Sequence, residues 1–132
     1  MFSTKTIELK SAAEIAAMRR GGEVLSQALA AIMAATRPGA ATLELDRIAA
    51  TELERRGAKP AFLGYHGFPA SLCVSINDEV IHGIPSAQRR LRDGDLVSLD
   101  LGCVYEGFCC DVAVTVGVGA VSSQAQRLLQ TT

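Results

Sequence analysis

The chain has 132 residues, 48% of them apolar and 20% charged, with a net charge of −1. That is an ordinary globular profile, long enough for one domain that buries about two-thirds of its unfolded surface. It has no basic block and no apolar run of bilayer length, which argues against nucleic acid or a membrane as the main partner. The opening segment MFSTKTIELK has neither an apolar core nor a small-residue cleavage site, so no secretory signal is expected and the cytoplasm is the expected location. Cys73, Cys103, Cys109 and Cys110 show no C-x-x-C spacing and are read as free thiols.

Ser11 with Glu14 forms a capping box that opens a helix. Ile15, Met18, Leu25, Leu29, Ile32 and Met33 then recur at helical spacing up to Pro38-Gly39. Gly21-Gly22 weaken this helix, for which a close-packed neighbour or a break are the two readings. Thr42 is placed to cap a second helix, with the stripe Leu45, Ile48, Ala49 and Leu53 and a stop at Gly57. Beyond it the pattern changes to strands and turns: Ser71 to Ile76, a turn at Asn77-Asp78, Val80-Ile81, then a loop through Gly83-Ile84-Pro85. Arg92-Asp93-Gly94 leads into two strands, Leu96 to Val104 and Phe108 to Val118, and Ser122 caps a short last helix over Ser123 to Leu129. Two helices followed by antiparallel strands make an α+β domain over 1–132.

Asp100 and Asp111 stand on the two long strands, either side of the turn signal Tyr105-Glu106-Gly107. A turn centred there makes them direct or diagonal neighbours on one face, where like charges repel unless a shared cation cancels them. One extra bulge residue would instead put them on opposite faces, with one merely solvated. By alternation Cys109 shares the face of Asp111 and Cys110 points away.

The segment LGYHGFPASLCVSINDEVIHGIPS, followed by GDLVSLDLG and GFCCDVAVTVGVG, closely resembles type I methionine aminopeptidases, in the order and spacing of that family. The resemblance implies one half of a pita-bread fold, in which two similar α+β halves enclose a dinuclear metal site. It implies that Asp100 and Asp111 hold two divalent ions, with Mn, Fe or Co favoured by an oxygen-rich ligand set. It implies that His82 contacts substrate near the scissile peptide, and that Tyr65, Phe68 and Cys73 line the pocket for a methionine side chain, with His66 close by. The substrates implied are peptides and nascent proteins that begin with methionine. Read without the family, His82 stabilises a turn, Tyr65 and Phe68 are core aromatics, and Cys73 fills a small space.

The family completes its site with a His and two Glu from its second half, whereas no His, Glu or Asp follows Asp111 here. Two carboxylates are too few for two six-coordinate ions. Three readings stay open: an N-terminal portion of a longer enzyme, a half completed by a partner chain or a homodimer, or a non-catalytic half-fold that associates.

Overall fold

In the computed structural model, which describes residues 7–132, the chain forms three α-helices and a four-stranded sheet. The first six residues, part of the segment read above for a secretory signal, lie outside that range. Helix α1 (Ala12–Ala35) opens with the expected capping box: the Glu14 N–H donates to Ser11 Oγ at 3.3 Å and the Ser11 N–H donates back to Glu14 Oε2 at 2.7 Å. The helix runs unbroken through Gly21-Gly22. Leu25, Leu29 and Ile32 are buried, whereas Ile15, Met18 and Met33 are more than a third exposed. The spacing thus caught more of the helix than its core stripe, whose first turns bury the small Ala17 and Gly21 instead.

Helix α2 (Thr42–Arg55) is not capped by Thr42. The N-cap is Ala41, and the Thr42 hydroxyl turns inward, accepting the Ser86 N–H at 2.8 Å and donating to the Ser86 carbonyl at 3.1 Å. A fully buried hydroxyl is satisfied by the loop that covers it rather than by its own helix. The helix ends at Gly57 (φ +73°) in a Schellman pattern, with Gly57 N–H to Glu54 at 2.9 Å and Ala58 N–H to Leu53 at 3.0 Å.

The strands are β1 (Lys59–Pro60), β2 (Leu72–Ile76), β3 (Leu96–Tyr105) and β4 (Phe108–Gly117), paired antiparallel throughout. β3 is the spine, with β1 and β2 along one edge and β4 along the other. The β3–β4 turn is Glu106-Gly107, both with positive φ (+48° and +84°), closing the pair Tyr105↔Phe108. That is the two-residue turn whose twist suits a hairpin. Val80-Ile81, read as strand-like, forms no strand and is 87% and 64% exposed. The edge of β2 they would have joined is taken by Gly83, whose carbonyl accepts the Val74 N–H at 2.9 Å.

Helices α1 and α2 cover one face of the sheet, where Val97, Leu99, Leu101 and Cys103 of β3 are fully buried. Gly21 allows a close approach here, since a Cβ would come within 2.6 Å of Cys110 Sγ and force one of them to shift. Val112, Val114 and Val116 point the same way and pack on this core, so the bare face of β4 carries Cys109, Asp111, Ala113 and Thr115 instead. Helix α3 (Ser123–Thr131) is capped by Ser122, as expected, and has no buried residue.

Candidate metal centre and substrate cleft

The register places Asp100 opposite Ala113 and Asp111 opposite Gly102. The two aspartates are therefore diagonal neighbours on the face away from α1 and α2, with no bulge between them. Burial, then the charge of Asp111, holds the Asp100 carboxyl above its usual range, while His82 pulls it down. A carboxylate pair that close, with part of its solvation removed, is a donor set for a hard divalent cation. Among the described residues no group of three or more His, Cys, Asp or Glu side chains is arranged to hold a metal ion. The Asp100–Asp111 pair supplies oxygen donors of the kind a hard divalent cation takes.

The pair lines a cleft of about 520 Å³ with Tyr65, His66, Phe68, Cys73 and His82 and with Phe62, Gly67, Pro69 and Ile84. Every site residue singled out in the sequence thus lies around one space, although the stretch from Tyr65 to Asp111 is widely separated along the chain. Each is brought there by a definite element. Cys73 lies opposite Asp100 on β2. The start of β2 is tied to α2 by Asp46, whose carboxylate accepts the N–H groups of Ser71 (2.8 Å) and Leu72 (3.0 Å). Burial first, then the two aspartates, push the Cys73 thiol up to about 11, so it is a neutral apolar wall rather than a thiolate.

The aromatic wall is a short 3₁₀ turn, Tyr65–Gly67, closed by the Gly64 N–H to Phe68 carbonyl bond at 2.8 Å. His66 takes φ +48° in that turn and its ring meets Tyr65 edge-on, with centroids 4.4 Å apart. Tyr65 is 67% exposed, which removes the reading of it as a core aromatic.

Phe62 and Ile84 were not singled out from the sequence. The signal for Phe62 lies in Gly102: a Cβ there would come within 2.5 Å of the Phe62 ring, so Gly102 leaves the strand bare for that ring. Cys109 is exposed and is not among the residues around the cleft, whereas Cys110 turns to α1, with Sγ 3.5 Å from the Met18 carbonyl.

Comparison with known proteins bears on the family and the fold. Residues 16–132 match the metallopeptidase family M24. Methionine aminopeptidase 1 of Mycobacterium tuberculosis is 49% identical over 128 residues, which is 97% of this chain and 48% of that protein. The crystal structure of methionine aminopeptidase from Rickettsia prowazekii superposes with a TM-score of 0.92 at 32% identity, over 96% of this chain and 51% of that one. Escherichia coli aminopeptidase P superposes with a TM-score of 0.72 over 89% of this chain and 26% of its own. The chain thus spans about half the length of its methionine aminopeptidase relatives, and its α+β layer is half of a pita-bread fold. With a match that starts early in α1 and takes in the whole hairpin, the chain belongs to metallopeptidase family M24.

Proposed function

We propose that the chain is the first half of a methionine aminopeptidase domain, which removes the N-terminal methionine of peptides and nascent proteins in the cytoplasm. The observation that carries this is the convergence of the diagonal Asp100–Asp111 pair, His82 and a largely apolar cleft on one face of the sheet. Asp100 and Asp111 would share two divalent ions, Mn, Fe or Co, which supply the Lewis acidity for peptide hydrolysis. Tyr65, Phe68 and the neutral Cys73 form a wall for an unbranched thioether side chain, with His66 at the rim. His82, beside Asp100, donates a hydrogen bond to the substrate next to the scissile bond. Water adds across that bond, releasing free methionine and the shortened chain.

The ligands still needed come from a second half, which the M. tuberculosis relative has the length to supply. The decisive experiment joins this chain to the second half of that relative and follows a peptide beginning Met-Ala with Mn or Co present. Turnover that Asp100→Ala abolishes is expected, with little or none from the 132 residues alone. A folded, metal-loaded joined protein that leaves the peptide intact overturns the reading.

A second reading is favoured by the open sheet face and by the exposure of Tyr65 and Ile84 at the cleft and of Val80 and Ile81 beside the neighbouring cavity. Such a surface suits association with a second-half chain or another copy of this one. Sedimentation at micromolar concentration distinguishes a dimer or larger assembly from a concentration-independent monomer.

A further inference from the structure

His82 sits in an unusual piece of backbone. Its φ is +59°, a left-handed conformation that is uncommon for a residue with a Cβ, although His enters it more readily than most. Its flanks impose little, since Val80, Ile81 and Ile84 are 87%, 64% and 58% exposed. Among the described residues, the segment 80–85 makes two hydrogen bonds, both at Gly83 and both to β2. The Gly83 carbonyl accepts from Val74 N–H at 2.9 Å, and the Gly83 N–H donates to Ser75 Oγ at 3.1 Å. Gly83 lies so close to the strand that a Cβ there would collide with the Val74 carbonyl. The loop is therefore clamped at one residue, directly after His82.

One half of this clamp is main chain and would survive any side-chain change. The other half is the Ser75 hydroxyl, in a residue only 4% exposed. Serine is a poor strand former, and a buried one in mid-strand calls for a reason. Its ladder partner Ser98 is bonded elsewhere, to Thr115 Oγ1 at 2.8 Å. Ser75 and His82 also line one further cavity, of about 440 Å³, which shares Asp100 and His82 with the substrate cleft.

We propose that Ser75 is a positioning residue for His82: by accepting the Gly83 N–H, its hydroxyl fixes the left-handed turn that sets the imidazole beside the Asp100–Asp111 pair. Its consequence for turnover rests on the aminopeptidase reading, but the placement of the ring does not.

The chain contains two histidines, so its imidazole C–H spectrum has two sets of signals, and His66 serves as the internal control. Ser75→Ala is expected to shift or broaden the His82 signals and the Gly83 amide while leaving His66 in place. Ser75→Thr, which keeps the acceptor oxygen, is expected to hold both near their original positions. If Ser75→Ala does not fold, Ser75→Cys, nearly isosteric but a weak acceptor, takes its place with the same expected shift. Unmoved His82 signals in a folded Ala or Cys variant, or a Thr variant shifted as far as they are, overturn the proposal. In the protein joined to a second half, Ser75→Ala is expected to lower kcat about tenfold to a hundredfold, the scale of a misplaced catalytic group, with KM little changed. If the unsubstituted joined protein has no turnover, the aminopeptidase reading fails, and the imidazole signals still decide the role of Ser75.

Discussion

The two faces of β3 follow different rules. On the helix side Val97, Leu99, Leu101 and Cys103 are fully buried and packed. On the other side Ser98, Asp100 and Gly102 are each set by a neighbour's needs: a hydroxyl for Thr115, a carboxylate beside Asp111, and a bare backbone under Phe62. The first face makes the fold and the second spends part of that stability on chemistry. Because the side-chain period of a strand is two, a one-residue slip would exchange the faces, so the packed side fixes the register of the chemical side.

Substitutions should separate the faces. Leu99→Ala, in the packed row, is expected to cost about 3 kcal/mol through the cavity it leaves. Ala113→Ser, on the open face opposite Asp100, should stay within about 0.5 kcal/mol. Urea midpoints of the two variants check this, and equal losses would break the contrast.

The helix side should also be sensitive at Gly21 and tolerant at Gly22. Gly21→Ala drives a methyl into Cys110 Sγ and is expected to cost about 1–3 kcal/mol despite the better helix propensity of Ala. Gly22, with nothing within 4 Å of its Cβ position, should gain about 0.5–1 kcal/mol from the same change. Cys110→Ala in the Gly21→Ala background should recover much of the loss, and a double-mutant cycle measures that coupling.

A smaller effect comes from the thiols. Burial pushes Cys73, on the open face, and Cys103, on the packed face, from about 9 up to about 11. The unfolded chain then releases these protons first, so it binds fewer protons than the folded chain between pH 9 and 11. Stability should therefore be unaffected by these groups below about pH 8 and fall as pH rises through that window. Replacing both by alanine should flatten this limb of the pH–stability curve. Under alkylation at pH 8, exposed Cys109 should react well before either.

The sequence carried most of this arrangement, for local physical reasons. The Ser11–Glu14 box, the Gly57 stop and the Ser122 cap are short-range hydrogen-bond patterns, and each formed where the residues placed it. The aspartate pairing was legible because a glycine turn and a period of two leave few registers. What could not be read were features set by distant partners. Thr42 gave up its cap to bond Ser86, β1 exists only through pairing with Cys103 and Val104, and Val80-Ile81 lost their place at the sheet edge to Gly83. In the cleft, Phe62 was hidden because its position depends on the missing side chain of Gly102 across the sheet.

The central claim is that Asp100 and Asp111 are a paired cation site, and thermal unfolding of this chain with and without Mn²⁺ tests it most directly. Without metal, Asp100→Asn relieves the repulsion between the half-buried Asp100 and Asp111 and should leave the melting temperature unchanged or higher. With saturating Mn²⁺ the unsubstituted chain should gain stability in a concentration-dependent way, and Asp100→Asn and Asp111→Asn should each lose that gain. A gain of equal size in all three proteins, or none in the unsubstituted chain, would contradict the account.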